Sequence, residues 1–502
     1  MSSQNEVATN APEYAASSSV WAPFASRAFV WLWLANAVSA LGTWIQNAAS
    51  AWIMTDLAPS PIMVSLVQAT AQLPVLLLAL PAGAIADLMD RKRLLIITNI
   101  LMLGASAILA VVAVVGRIDP AMLLVLSVLL AIGAALNSPA WAASVPLTVS
   151  RRSLAQALVL NSVGFNIARA IGPALGGLIL AASGATAAFA ANAASFAFVA
   201  LAVGVFLTFP RTQATNNVPP EPFGSAMRIG LAYAFAEPVV RSTLFRSAAF
   251  FGCASAIWAL LPLYVGEVLG LSSASFGLMM GVIGTGVVLG GLMMPALNRF
   301  FPRNNLILLA GACCGLSLVP LALVPTATIA FIALFVFGMG WIVGASNLQA
   351  TVQLAAAPWV RARALALYQA VFNGGMGLGA IFWGWLGDRV GLTETILIAG
   401  FAGGAIAILT RAIHLPPEID DPSASAITDP PSLSIAEEIR PLLHSSRHRL
   451  RAAVSYRIDP SDVPAFRAAM TDVRLSRYRD GAVGWALSRD VSDPTGGDIC
   501  HP

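Results

Sequence analysis

The sequence predicts an all-α membrane protein of twelve transmembrane helices in two six-helix halves, followed by a small cytosolic α+β segment at the C-terminus. Of its 502 residues, 58% are hydrophobic and only 10% are charged, and the mean hydropathy is +0.78. Soluble domains carry about 25% charged residues. Most of this chain therefore cannot face water.

Twelve apolar stretches are long enough to cross a bilayer core, which is about 30 Å thick and needs about 20 helical residues. Turn residues or charges separate them, as at Pro59-Ser60-Pro61 and Asp119-Pro120. The predicted spans are residues 28–54, 61–86, 94–115, 120–141, 155–180, 184–208, 243–265, 273–297, 305–324, 327–350, 362–386 and 393–413.

The longest internal connection, residues 210–242, is a cytosolic linker with an amphipathic stretch. It divides the spans into an N-terminal six-helix bundle (27–209) and a C-terminal one (243–415). An internal repeat supports this division, because a shift of 207 residues matches Asn166 with Asn373, Gly172 with Gly379 and Gly177 with Gly384. Parallel repeats of this kind are typical of membrane transporters, in which the substrate-binding site lies between the halves near mid-membrane.

Basic residues lie almost entirely in one set of connections. The other set contains only Arg117 and Arg389. The positive-inside rule then places both termini in the cytosol, in a multi-pass protein of the inner (plasma) membrane. Residues 1–26 lack the basic and apolar regions of a signal peptide, and we interpret them as a disordered cytosolic arm.

The tail differs in composition from the membrane part. Residues 416–447 form a Pro-, Ser- and Asp-rich linker, and residues 448–502 read as a βαβ-like cytosolic segment: a strand over 452–458, a helix over 460–475 and a strand over 482–489. The unit is too small to bury a good core alone. The run from Arg477 to Trp485 resembles part of a dimeric αβ-barrel module related to antibiotic-biosynthesis monooxygenases. This resemblance implies that the segment is truncated, and we expect it to have no catalytic activity. The protein is expected to be a monomer, with self-association through the tail as an option.

The connection after the second span contains a candidate latch. Gly83 and Asp87 lie four residues apart on one helical face, and the basic run Arg91, Lys92 and Arg93 follows. The glycine permits close helix contact, and the carboxylate can face a helix N-terminus or an arginine. A solvated positive-inside loop is the alternative interpretation.

The latch segment resembles the signature of the major facilitator superfamily, although Asp90 stands where many members have glycine. In the fifth span, Gly172, Pro173, Gly176 and Gly177 resemble the Gly-Pro-x-x-Gly-Gly antiporter motif of exporters of that superfamily. The stretch from Asn166 to Pro173 resembles the enterobactin-exporter-like branch, also called transmembrane secretion effectors. The resemblance implies the major facilitator fold and the export of a small organic molecule by alternating access.

Arg169 lies near the middle of an apolar span, where a charge is costly and normally faces a cavity or a partner. It is either an anion-attracting or gating residue of the translocation path, or a structural arginine bonded to carbonyls of a neighbouring helix.

Polar side chains recur at three- and four-residue steps on several predicted spans. They line a wet cavity or form interhelical hydrogen bonds. Trp44, Trp258 and Tyr264 could stack on a ligand, but packing is the more common role. The candidate cavity residues are Asn36, Thr43, Gln46, Asn47, Gln68, Gln72, Ser162, Asn166, Arg169, Tyr368, Gln369 and Asn373.

Several function classes find no support in the sequence. No metal cluster, phosphate-binding lysine loop, nucleophile elbow or dinucleotide loop occurs. We therefore predict a secondary transporter that lies in the lipid bilayer, rather than an enzyme. We expect it to transport a small molecule, to be driven by the proton gradient, and to have neither a cofactor nor a nucleic-acid partner. An importer, or a membrane-anchored regulatory protein acting through its tail, is the alternative.

Overall fold

The structure is a computed structural model. It describes residues 19–150, 153–207, 231–357 and 360–411, and short parts of the tail between 454 and 501. Within these ranges, eleven helices are long and apolar enough to cross a membrane. The helices are α1 (Arg27–Leu57), α2 (Pro61–Leu88), α3 (Arg91–Val114), α4 (Pro120–Ser144), α5 (Leu154–Phe206), α6 (Pro238–Leu263), α7 (Ser273–Phe300), α8 (Arg303–Leu316), α9 (Leu318–Leu323), α10 (Ala327–Ala355), α11 (Arg361–Val390) and α12 (Leu392–Arg411).

Each of the first four helices, α1 to α4, begins next to a side chain that caps its N-terminus. Ser26, Ser60, Asp90 and Asp119 each accept a hydrogen bond from the amide of the third residue beyond them, at 2.9–3.3 Å. Such caps satisfy amides that have no partner within the helix. The turn residues that separate the apolar stretches thus also fix where the helices begin.

Helix α5 contains two of the predicted spans in one element of 53 residues. At 1.5 Å per residue, a straight helix of this length would measure about 80 Å. Its backbone is non-helical at Gly184, where φ is 75° and ψ is −179°. This φ favours glycine. Gly172, before the break, faces Trp44 of α1, whereas Ser195, after it, faces Gly42 of the same helix. The chain therefore reverses direction at Gly184.

The 207-residue repeat recurs in the packing. The amide of Asn166 donates to the carbonyl of Ser162 at 2.8 Å, and that of Asn373 donates to the carbonyl of Gln369 at 2.7 Å. Gly172 of α5 packs on α1, and its counterpart Gly379 packs on Gly252 of α6. Equivalent positions of the two halves thus make equivalent contacts.

The described parts of the tail contain three short strands. They are β1 (Val454–Ser455), β2 (Ala486–Arg489) and β3 (Asp498–His501). β3 lies between the other two and is antiparallel to both, with Val454 opposite Cys500 and Leu487 also opposite Cys500. The prediction of a βαβ-like segment therefore missed the central strand. The predicted linker 416–447, the arm over 1–18 and most of the 210–242 connection lie outside the described residues.

Candidate translocation site

Within the described residues, two helix pairs make most of the contact between the halves. For reference, the arginine-rich end of the bundle carries Arg27, Arg91, Arg241, Arg303 and Arg361, and the arginine-poor end carries the turns after α1, α3, α6 and α11.

In the first pair, α5 lies against α7 through glycines on both sides. A Cβ built on Gly277 would lie 2.8 Å from Gly177 Cα, and one built on Gly284 would lie 2.6 Å from Ala170 Cα. Small residues let helices approach this closely. Gly177 of the antiporter-like motif thus contacts the other half, whereas Gly172 and Gly176 of the same motif pack on α1 within their own half.

The second pair is α2 with α11. A Cβ built on Gly387 would lie 2.6 Å from Pro61 Cβ, and one built on Gly377 would lie 2.7 Å from a methyl carbon of Leu73. At the arginine-poor end, the amide of Ile62 donates to the carboxylate of Asp388 at 3.3 Å. A carboxylate is favourable in the first turn of a helix. Asp388 is not among the predicted site residues, although its position four residues beyond Gly384 repeats the spacing of Gly83 and Asp87.

Toward the arginine-rich end, the halves part. A Cβ built on Gly83 of α2 would meet no atom of the described residues within 4 Å, so none of them makes the close contact expected at this glycine. Ser162 and Asn166 of α5 and Gln369 of α11 are exposed. The interface is therefore closed from the arginine-poor end to the middle and open beyond.

At the inner limit of the closed region, Arg169 is enclosed by three indole rings. Its guanidinium carbon lies 5.7 Å from the ring centroid of Trp44, and 5.6 Å from those of Trp258 and Trp341. Each such contact is worth about 0.5–2 kcal/mol. Trp44 belongs to the N-terminal half, whereas Trp258 and Trp341 belong to the C-terminal half. We call these four residues the arginine cage.

The cage bears on the two interpretations of Arg169. Among the described residues, the guanidinium lies over three indole rings and makes no hydrogen bond to a carbonyl oxygen. This contact set argues against the structural arginine bonded to carbonyls. The sequence points to Trp44 and Trp258 as stacking or packing residues, but it gives no signal for Trp341, which is 1% exposed.

An inter-half pocket adjoins the cage. Its lining includes Asn166, Arg169 and Pro173 of α5, Trp258 of α6 and Ile283 of α7, and the space between them is about 270 Å³. One cation and one amide thus face an otherwise apolar space between the halves.

A second cavity lies within the N-terminal half. Thr43, Gln46, Asn47 and Ser50 of α1 line it together with residues of α2 to α5, around a space of about 560 Å³. The polar stripe of α1 therefore faces a space between helices of its own half. Asn47 is exposed there, whereas Gln46 is 2% exposed.

Gln46 belongs to a buried hydrogen-bond network. Its side-chain oxygen accepts from Ser106 Oγ at 2.5 Å and from Asn192 Nδ2 at 2.7 Å. Its Nε2 is buried, with no hydrogen-bond partner among the described residues. The network joins α1, α3 and the second limb of α5.

Replacing Gln46 by leucine is expected to lower the free energy of unfolding by about 1–3 kcal/mol, because Asn192 Nδ2 then loses its acceptor in a buried site. The thermal unfolding midpoint of purified protein measures this. Gln369→Leu, at an exposed position, is the matched control and should leave the midpoint unchanged. Equal midpoints for the two variants would contradict the role assigned to the network.

Other candidate cavity residues line neither of these two spaces. Asn36 donates to Asn161 Oδ1 at 2.9 Å, and Tyr368 donates to the carbonyl of Ala345 at 2.9 Å. Asn373 is 3% exposed and bonds to its own helix. The half-buried Gln68 and Gln72 lie on α2, and Ser162 and Gln369 are exposed toward the open end.

The basic residues of the latch segment differ in their surroundings. Asp90 caps α3 by accepting from the amide of Arg93 at 2.9 Å. Lys92 Nζ donates to the carbonyl of Leu207, at the C-terminus of α5, at 2.9 Å. A cation is favourable there. Arg91 is half-buried and Arg93 exposed, and the side chain of Asp87 lies outside the described residues.

Two helix pairs that join repeated halves around a central pocket define a polytopic membrane transporter. The profile of the family described as "Transmembrane secretion effector" matches residues 18–497. The chain belongs to this family of major facilitator transporters, which confirms the resemblance seen in the sequence. The matched residues extend into the tail.

Three individual proteins illustrate the similarity. The staphyloferrin A transporter of Staphylococcus aureus is 27% identical over 283 residues, which are 55% of this chain and 69% of the relative. The multidrug efflux pump Tap of Mycolicibacterium fortuitum is 24% identical over 362 residues, 71% of this chain and 88% of the relative. The crystal structure of a mutant of the nucleoside transporter NupG shares the fold, with a TM-score of 0.64 at 14% identity over 77% of this chain and 100% of that one.

Proposed function

We propose that this transporter exports a small organic molecule by alternating access. The single observation that carries the proposal is that the halves touch from the arginine-poor end to the arginine cage and part beyond it. A second state, closed at the arginine-rich end and open at the other, follows if residues 28–208 rock against 243–413. The pocket at Arg169 would then face each side in turn.

The proposed topology has twelve spans, because the reversal at Gly184 divides α5 into two. Both termini and the tail lie in the cytosol, and the arginine-rich end faces it, in accordance with the positive-inside rule. The membrane is the plasma membrane, and we propose the proton gradient as the driving force. The state described is accordingly open to the cytosol.

The proposed substrate class is a siderophore or a drug-like molecule. The names of two relatives, a staphyloferrin A transporter and a multidrug efflux pump, support it. The arginine cage supports it independently, because a cation beside indole rings can bind a molecule that combines negative charge with flat apolar surface.

The two ends of α2 and α11 are proposed to act as opposed latches. Asp388 holds the arginine-poor end in the present state, and Asp87, with Gly83 and Arg91, holds the arginine-rich end in the other. Asp388→Asn should shift the equilibrium between the two states by about two- to fivefold, as expected for a charge at a helix N-terminus. Asp87→Asn should shift it the opposite way.

Labelling of single cysteines at both ends measures these shifts. Asp388→Asn should raise the labelling rate at the arginine-poor end and lower it at the other end. Unaltered labelling at both ends in either variant would contradict the corresponding latch.

The direction of transport is tested with a deletion strain. Its susceptibility to toxic compounds and its secreted metabolites, compared with the complemented strain, identify a substrate. An exporter should then accumulate that substrate in inverted membrane vesicles. Accumulation in right-side-out vesicles instead would show an importer and overturn the proposed direction.

A further inference from the structure

A second arginine, away from the translocation site, is buried and has no charge partner in the part of the chain that the structure describes. Arg246 of α6 is 2% exposed. Its Nη1 donates to Asn304 Oδ1 at 2.6 Å, whereas Nε and Nη2 are buried with no hydrogen-bond partner among the described residues. Burying a cation with one neutral acceptor is costly unless an anion completes the site. Two free donors on one guanidinium match the two oxygens of a phosphate.

Arg246 is one of the residues that line a groove between α6, α8 and α12. The groove measures about 450 Å³ when the solvent-open space at its mouth is included, and apart from Arg246 its lining is mainly apolar, including Phe250, Cys253, Ile307 and Ala407. The groove therefore has one charged point and a long apolar remainder. A free inorganic ion would leave most of this surface empty, whereas an amphiphile with one anionic group would fill it.

The depth of Arg246 agrees with the level of lipid headgroups. The span from Pro238 to Val268 has 31 residues, or about 46 Å, against a hydrocarbon core of about 30 Å. About 8 Å therefore projects at each end. Arg246 lies eight residues, or about 12 Å, from the start of α6, and helical side chains point back toward the N-terminus. Asn304 and Thr410, at the ends of α8 and α12, mark the same level of the arginine-rich end.

We propose that Arg246 and Asn304 bind the phosphate of an anionic phospholipid whose acyl chain lies along the groove. Basic sites between transmembrane helices on the cytoplasmic side recognise such headgroups. The lipid would tie α6 to α8 and α12 within the C-terminal half. It would occupy a site separate from the pocket at Arg169.

The test uses the purified full-length chain, freed of lipid in detergent. Dioleoylphosphatidylglycerol, dioleoylphosphatidylcholine and inorganic phosphate are added in parallel, native mass spectrometry counts retained lipids, and the thermal unfolding midpoint is followed. We expect phosphatidylglycerol to be retained and to raise the midpoint by several degrees. In Arg246→Gln its apparent affinity should fall at least tenfold. Arg299→Gln, an exposed arginine at the same end, is the matched control and should keep the wild-type affinity.

Three results would overturn the proposal. One is equal retention of phosphatidylglycerol by wild type and Arg246→Gln. Another is equal stabilisation by inorganic phosphate, which would assign the site to a free ion. The third is a loss of stability in Arg246→Gln that does not depend on lipid, which would assign the partner to a group of the chain itself. If Arg246→Gln does not fold, Ala249→Phe keeps the charge, fills the groove and should also reduce retention at least tenfold.

Discussion

Replacing Arg169 by alanine is expected to reduce efflux at least tenfold at unchanged expression. The guanidinium lies within 5.6–5.7 Å of three indole ring centroids that belong to both halves. Three contacts of about 0.5–2 kcal/mol exceed the 1.4 kcal/mol that corresponds to a factor of ten. Alanine removes all three and takes the only charge from the lining of the inter-half pocket. Efflux of the compound identified with the deletion strain measures the effect.

Two further variants give this prediction its controls. Arg389 lies 5.4 Å from the ring of Trp385 at the arginine-poor end and is exposed. Arg389→Ala therefore removes a comparable contact outside the pocket and should leave efflux unchanged. Arg169→Lys keeps the charge but loses the planar group that stacks on indoles, so an intermediate rate is expected. Wild-type efflux in Arg169→Ala would remove the cage from the mechanism.

Gly177→Val is expected to abolish the closed contact between α5 and α7 and to reduce efflux at least tenfold. A Cβ at this position would collide with the carbonyl of Ser273 and lie 2.6 Å from Gly277 Cα. These are backbone atoms, which cannot turn aside as a side chain can. Overpacking of this kind typically costs about 1–3 kcal/mol.

The matched control for Gly177→Val lies on the same helix. A Cβ built on Gly204 would meet no atom of the described residues within 4 Å. Gly204→Val therefore introduces the same side chain and the same change of helix propensity without a collision. Efflux and cysteine labelling at the arginine-poor end should be normal in Gly204→Val and altered in Gly177→Val. Identical behaviour would show that the α5–α7 contact is not needed for transport.

Much of the membrane fold was predictable because hydropathy and turn chemistry act locally. Ser60, Asp90 and Asp119 stand where the predicted spans break, and each caps a helix. The 207-residue repeat was visible as matched Asn and Gly residues, and the structure confirms it in matched contacts. Within the ninth predicted span, the helix is interrupted at Ser317. The interruption is explained by Pro320, because proline has no amide hydrogen to donate to the carbonyl of residue 316 and so breaks the helical hydrogen-bond pattern there.

The site was predictable only in part, since helical periodicity shows which residues share a face but not what that face meets. Gln46 and Arg169 were both placed on polar faces of apolar helices. Nothing in the sequence placed Asn192 beside Gln46 or Trp341 beside Arg169, because these partners are 146 and 172 residues away. Asn373 illustrates the same limit. It was expected to line the cavity, but it is buried and its side-chain amide donates a hydrogen bond to its own helix.

The central claim is that the arginine-poor end must open during transport, and a reversible cross-link at that end tests it most directly. The Ile62 amide and the Asp388 carboxylate are 3.3 Å apart across the two halves. Ile62→Cys with Asp388→Cys is therefore the pair to cross-link by oxidation, once Cys253, Cys313, Cys314 and Cys500 are replaced. We expect oxidation to stop efflux and a reductant to restore it. Efflux by the oxidised protein at the rate of the reduced protein would show that this end does not need to open.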